Sequence, residues 1–114
     1  MQSNRTLLMG NEAIARGALE GGVAYCTGYP GNPSSEIIET LISYQQQYDL
    51  KAEWSVNEIV ALEAAAAFAF SGMRAIVTMK QNGMNALRWY TIPAKNPDRH
   101  TLHCPWPDCY GLIQ

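Results

Sequence analysis

The segment from about residue 58 to residue 71 constrains the fold most, because it consists almost wholly of Ala, Val, Ile, Leu and Phe. Its two carboxylates, Glu58 and Glu63, are the main exceptions. A helix that is apolar on all sides is normally a core helix, and a carboxyl group within one must be paired, neutral or functional. The segment therefore predicts a buried helix, and Glu58 at its start is the first candidate for a functional residue.

Strands and helices alternate on both sides of this segment. Apolar and alternating runs predict strands at residues 23–27, 50–56 and 73–79, and a short run at residues 6–9 predicts an edge strand. Helices are predicted from Gly10 to the Gly21-Gly22 stop, and from Pro33 with Asn32 as its N-cap. This alternation predicts an α/β fold, a partial doubly wound parallel sheet with right-handed crossovers.

Composition excludes several classes of function. The 114 residues suffice for one domain, and a net charge of −2 provides no basic face for nucleic acid. The sequence contains no run of 18 apolar residues and no signal-peptide pattern at its start, which predicts no membrane partner. Three cysteines do not make a disulfide framework. We therefore expect a soluble cytoplasmic domain.

The last part of the chain has a different character. Residues 86–114 contain four of the six prolines and show no regular apolar period beyond Trp89 and Tyr90. We expect an atypical, irregular tail, either frameshifted or disordered. Within it, two histidines and two cysteines are either an accidental cluster or a zinc site of non-standard spacing; these residues are His100, His103, Cys104 and Cys109.

Glu58 admits two interpretations. In the first, Ser55 and Glu58 form a capping box, with the carboxylate accepting a hydrogen bond from the Ser55 backbone N–H. In the second, the carboxyl lies at the carboxyl edge of the sheet, on the apolar face of its helix. Desolvation would keep it protonated there, able to donate a hydrogen bond to a ligand nitrogen. Composition alone favours the capping box.

The loop of residues 28–35 contains the densest turn chemistry of the chain. It is either a tight connection between a strand and a helix or an anion site. The anion site would use free N–H groups at the helix start, with the Ser34 and Ser35 hydroxyls beside them. The glycine spacing matches neither a dinucleotide fingerprint nor a P-loop.

Three long segments together resemble a known family: residues 7–20 (LLMGNEAIARGALE), 27–38 (TGYPGNPSSEII) and 53–58 (EWSVNE). They closely resemble the N-terminus of the alpha subunit of indolepyruvate ferredoxin oxidoreductases, which are thiamine-diphosphate-dependent 2-oxoacid:ferredoxin oxidoreductases. The resemblance covers roughly residues 6–85. It implies that residues 1–85 are a partial pyrimidine-binding domain, followed by the tail at 86–114.

The resemblance implies roles for particular residues. Asn57-Glu58 matches the motif whose glutamate contacts N1′ of the aminopyrimidine of thiamine diphosphate, which makes Glu58 the expected catalytic and cofactor-binding residue. The loop after the first strand is expected to bind cofactor and the 2-oxoacid carboxylate. Its cofactor-binding residues would be Tyr29 and Pro30, and its substrate-binding residues Gly31, Asn32, Pro33 and Ser34. Asn32 stands where the family usually has threonine.

The implied activity is oxidative decarboxylation of aryl 2-oxoacids to acyl-CoA, with electrons passed through [4Fe-4S] clusters to ferredoxin. Mg²⁺ and the diphosphate would be held by a separate domain whose Gly-Asp-Gly motif this chain lacks. The expected partners are therefore the remaining domains of the alpha subunit or a partner subunit, with ferredoxin, coenzyme A and the 2-oxoacid. The chain is expected to be a fragment that is inactive alone. The alternative is a non-catalytic binding or assembly module that retains the fold.

Overall fold

The computed structural model describes residues 5–80 and 83, together with the backbone of residues 110–113. Helices and strands alternate along the first of these ranges, as the sequence predicts. The elements are α1 (Gly10–Glu20), β1 (Val23–Gly28), α2 (Ser35–Tyr44), β2 (Lys51–Trp54), α3 (Glu58–Phe70), β3 (Arg74–Thr78) and β4 (Tyr110–Ile113).

The strands form one sheet in the order β2-β1-β3-β4. β1 pairs with both β2 and β3 in parallel, whereas β4 runs antiparallel to β3. Gly28 at the end of β1 lies opposite Trp54 on one side and Thr78 on the other. The carboxyl ends of the three parallel strands therefore lie level with one another, and the predicted α/β class with a parallel sheet is confirmed.

Helices cover both faces of the sheet. One core lies beneath α3 and the other beneath α1 and α2, because side chains along β1 and β3 alternate between the two faces. The α3 core includes Tyr25, Ala61, Leu62, Ala65, Ala69, Ala75, Val77 and Met79. The α1/α2 core includes Ala15, Val23, Cys26, Ile37, Ile38, Leu41, Ala52 and Ile76. This arrangement is the doubly wound one predicted.

α3 is not buried on all sides, and in this respect the sequence prediction is wrong. The helix packs on a single face of the sheet, so only one side of it contacts the core. Its other side, which we call the α3 outer face, comprises Ile59, Val60, Glu63, Ala67 and Phe70. Its three large apolar side chains are 40% to 61% exposed.

Two local predictions near the N-terminal half are also wrong. Residues 6–9 form no strand, and Leu7 is 99% exposed. α2 begins at Ser35 with Ser34 as its N-cap residue, because residues 32–34 form a turn rather than a helix start at Asn32. Gly31 N–H donates to the Ser35 hydroxyl at 3.0 Å, which holds this turn against the first helical residue.

Four residues of the expected irregular tail form a regular element. Tyr110–Ile113 pair with β3, from Ala75 opposite Ile113 to Thr78 opposite Tyr110. The edge of β3 offers unpaired backbone groups that an extended segment of almost any sequence can bind, and this requires no long apolar period. The predicted cluster of histidines and cysteines at residues 100–109 lies outside the described residues.

Candidate functional site

The carboxyl edge of the parallel sheet brings together the segments that the sequence analysis selected. Tyr29 N–H donates to the Thr78 carbonyl at 3.3 Å, and Ser55 N–H donates to the Gly28 carbonyl at 2.8 Å. The residues after β1, β2 and β3 are thus tied to one another where the strands end. In open parallel sheets, this edge is where ligands bind.

Ser55 and Glu58 do not form the predicted capping box. The Ser55 N–H is bonded to Gly28, and its hydroxyl lies 2.6 Å from the Thr27 hydroxyl. Asn57 caps α3 instead, its side-chain oxygen accepting the Val60 N–H at 2.8 Å. The first interpretation of Glu58 is therefore wrong, and its carboxyl is not engaged in capping Ser55.

Glu58 occupies the first turn of α3, on the side of the helix that faces the sheet. It is partly buried and follows the line of the buried residues Ala61, Leu62 and Ala65. Its side chain reaches the residues beyond β3, where it lies directly against Gly83. This is the position that the second interpretation of Glu58 requires, although the carboxyl is less deeply buried than the sequence suggested.

The loop between β1 and α2 is closed by its own serine hydroxyls. The Ser35 hydroxyl donates to the Gly31 carbonyl at 3.1 Å and accepts the Gly31 N–H. The buried Ser34 hydroxyl donates to the same carbonyl at 3.3 Å. Among the loop residues, Tyr29, Pro30, Asn32 and Pro33 remain exposed at the sheet edge.

The candidate loop and Glu58 converge on the segment after β3. A Cβ atom added to Gly31 would lie 2.8 Å from Lys80 Cβ, and Glu58 lies against Gly83 only three residues further along. Among the described residues, Lys80 lies next to the loop and Gly83 lies next to Glu58. The structure thus brings Glu58 and the predicted residues of the 28–35 loop to one edge of the sheet.

Three further residues lie at this edge to which the sequence assigned no role. Gly83 contacts Glu58, Lys80 contacts Gly31, and Thr78 is a buried threonine whose hydroxyl has no hydrogen-bond partner among the described residues. No local pattern marks any of them. The available signal was their position, since residues directly after a central parallel strand reach the ligand edge.

Other parts of the described chain offer less. A cleft of about 480 Å³ lies beside α1 and α2, lined by Thr6, Leu8, Arg16, Glu20 and Tyr44. The Arg16 guanidinium in this cleft is already paired with the Glu20 carboxylate, with Nε 2.8 Å from Oε1. Residues 5–80 and 83 contain no cluster of three or more possible metal ligands. In the same part of the chain, no helix is both long and apolar enough to cross a membrane.

Comparison with known proteins agrees with the resemblance drawn from the sequence. The chain is 49% identical over 81 residues to the indolepyruvate oxidoreductase subunit IorA of Thermococcus kodakarensis, a match that covers 71% of this chain. It is 46% identical over 84 residues to the IorA subunit of Methanothermobacter marburgensis, covering 74% of the chain. The chain spans only 12% and 14% of the lengths of these two relatives. No protein-family profile matches it.

A solved structure has the same fold. A chain of the 2-oxoglutarate:ferredoxin oxidoreductase from Magnetococcus marinus, with 2-oxoglutarate, coenzyme A and succinyl-CoA bound, superposes with a TM-score of 0.67 over 70% of this chain. The match covers 14% of that chain at 18% sequence identity. The similarity to indolepyruvate oxidoreductase subunits is therefore confirmed in sequence, and the partial α/β fold of a 2-oxoacid oxidoreductase is confirmed in structure.

Proposed function

We propose that this chain supplies the aminopyrimidine-binding half-site of an indolepyruvate:ferredoxin oxidoreductase that acts on aryl 2-oxoacids. One observation carries the proposal. The segment is closely related to IorA subunits. In it Asn57, and not Glu58, caps α3, and the Glu58 carboxyl lies at the carboxyl edge of the sheet. Glu58 lies in the first turn of α3, where a carboxylate is favourable in any helix, and that general effect does not require the carboxyl to lie at the ligand edge.

The residues present fit the aminopyrimidine of thiamine diphosphate. Glu58 offers a partly buried carboxyl that rests against the backbone of Gly83, and a carboxyl can hydrogen-bond to a ring nitrogen. Bound thiamine diphosphate would supply the activation of the 2-oxoacid for loss of CO₂. The task of this chain would be to place the Glu58 carboxyl against ring atom N1′.

The loop after β1 would bind the 2-oxoacid. Asn32 presents an exposed side-chain amide, and Lys80 brings a cationic residue next to Gly31. Both can bind a carboxylate. The Ser34 and Ser35 hydroxyls are bonded to Gly31, so in this proposal they fix the shape of the loop. Tyr29 and Pro30, both exposed, would contact the cofactor.

The remaining steps would belong to other parts of the assembly. Binding of the diphosphate through Mg²⁺, the [4Fe-4S] clusters, coenzyme A and ferredoxin are all assigned here to further domains of an alpha subunit or to a partner subunit. The α3 outer face adjoins Glu58 on the same helix and exposes large apolar side chains. An exposed apolar surface of this kind marks an interaction site, so we expect a partner domain to cover it. Turnover by this chain alone is not expected.

A second candidate is a non-catalytic binding or assembly module, which the same exposed face favours. The two differ in the importance of Glu58. In the first, loss of the carboxyl impairs ligand binding, whereas in the second only the outer face matters. The experiment therefore measures binding of the aminopyrimidine itself.

The test adds thiamine, or thiamine diphosphate with Mg²⁺, to the full isotope-labelled chain. NMR then follows the binding. We expect shifts at Asn57, Glu58 and Tyr29, and an affinity about tenfold or more weaker in Glu58→Ala, because a hydrogen bond to an ionisable group is lost. Glu63→Ala removes a carboxyl from the α3 outer face and is the matched control. Equal binding by both variants, or no binding by the parent, would contradict the proposal.

A further inference from the structure

Gly83 is buried and lies in direct contact with the Glu58 side chain. A Cβ atom built on Gly83 would be 2.5 Å from Glu58 Cγ, 2.8 Å from Oε1 and 3.0 Å from Cδ. Ordinary contacts between carbon atoms lie at about 3.5–4.0 Å. Any side chain at residue 83 would therefore occupy the volume that the Glu58 carboxyl now fills.

The need for glycine at this position is one of space and not of backbone conformation. Only Gly22 and Gly72 among the described glycines have positive φ angles, so Gly83 has a backbone that other residues adopt freely. It lies in a helical conformation, and its N–H donates to the Lys80 carbonyl at 2.8 Å. Among the described residues, the three atoms nearest to an alanine Cβ there all belong to Glu58.

Of the two groups in contact, the Glu58 side chain is the one free to move. Gly83 follows β3 and the residue after it, of which Val77, Thr78 and Met79 are each about 1% exposed, and its N–H is bonded to the Lys80 carbonyl. The Glu58 carboxyl ends a flexible side chain at the start of α3. A larger residue at position 83 would therefore displace the carboxyl and leave the sheet in place.

We propose that Gly83 is a positioning residue for Glu58, and that its bare backbone forms the floor on which the carboxyl is held toward the aminopyrimidine N1′ atom. The second half of this statement rests on the proposed function; the first half does not. A purely structural role, in which glycine only permits close packing, makes a different prediction. In that case the substitution would destabilise the fold, and the position of the carboxyl would not matter.

The test compares Gly83→Ala with Gly17→Ala, a glycine in α1 whose added Cβ would have no neighbour within 4 Å. Chains labelled with ¹³C at the glutamate carboxyl carbon report each carboxyl directly, and Glu58→Ala assigns the Glu58 resonance by its loss. In Gly83→Ala we expect this resonance to move, unfolding by urea to be little changed, and thiamine to bind about tenfold or more weakly. In Gly17→Ala neither the resonance nor the thiamine affinity should change.

Each outcome decides one statement. A Glu58 resonance that stays in place in Gly83→Ala overturns the inference. A resonance that moves while the parent chain fails to bind thiamine upholds the positioning of Glu58 and overturns the proposed function. If Gly83→Ala does not fold, the double variant Glu58→Ala/Gly83→Ala decides, because it lacks the close contact. Its folding upholds the contact with Glu58, and its failure to fold assigns Gly83 a purely structural role.

Discussion

Two neighbouring residues of β1 bury groups that titrate at alkaline pH. Cys26 is fully buried, and burial raises the pKa of its thiol from 9.0 to about 12. Tyr25 is 1% exposed and stacks on Phe68. Burial first, and then the hydrogen bond to Glu53, raises the pKa of Tyr25 from 10.0 to about 12, against an opposing effect of Thr27. Both groups stay protonated in the folded chain at a pH at which the unfolded chain loses the proton.

This difference predicts how stability depends on pH. Above pH 9 the unfolded state binds fewer protons than the folded state, so the free energy of unfolding falls from pH 9 to about 12. Below pH 9 the stabilising contribution of the two groups is fully present. The slope approaches about 1.4 kcal/mol per pH unit for each group. Urea unfolding across this range measures it. Between pH 9 and 10 the thiol contributes more of the slope than the phenol does, so Cys26→Ala should flatten that part of the curve, and an unchanged slope there would contradict the assignment.

At the residue scale, the sequence located Glu58 and could not decide its role. Ser55 and Glu58 have capping-box spacing, and only the structure shows that Asn57 caps the helix and that Ser55 bonds to Gly28. The contact between Glu58 and Gly83 joins residues far apart in the chain. No local pattern encodes such a contact, because it depends on where β3 and α3 lie in the folded sheet.

Gly28 lies where β1 packs against its neighbouring strands, β2 and β3, and against α2. A Cβ atom on Gly28 would lie 2.6 Å from Ile38 Cδ1 and 2.7 Å from the Thr78 hydroxyl, and still closer to the Thr78 carbonyl. Gly28→Ala should therefore lower the free energy of unfolding by about 1–3 kcal/mol or more, since β3 and α2 must both shift. Gly17→Ala, in open space within α1, should instead raise it by roughly 0.5–1 kcal/mol. Equal effects in urea titrations would refute this account.

Elements with local signals were the ones that the sequence predicted. Gly21-Gly22 ends α1, Gly72 precedes β3, and the apolar runs between them give β1 and α3. The start of α2 was misplaced at Asn32 because Asn-Pro is a favourable helix start and the bonds from Ser34 and Ser35 to Gly31 are not visible in the sequence. β4 escaped prediction because its pairing depends on the free edge of β3 and on no local pattern.

At the scale of the whole molecule, composition could not separate two kinds of apolar helix face. The residues of α3 that pack on the sheet and those of the α3 outer face are alike in hydrophobicity, which is why the helix was predicted to be buried on all sides. The structure distinguishes them: Ala61 and Ala65 are fully buried, whereas Phe70 is 61% exposed. The difference sets apart the surface that stabilises this chain from the surface that we assign to a partner.

That assignment predicts separate effects on folding and association. Replacing Ile59 and Phe70 by Ser should change the free energy of unfolding of the chain by only about 0.5 kcal/mol for each exposed site, whereas Leu62→Ala, in the core, should cost about 2–5 kcal/mol.

The same double variant should fail to associate with an IorA subunit from which the matching segment has been deleted, measured by sedimentation velocity. Leu7→Ser, which changes an exposed apolar residue away from α3, is the control and should associate like the parent. Association that survives the loss of Ile59 and Phe70 would place the partner surface elsewhere. Loss of association together with loss of folding would assign these side chains to the core.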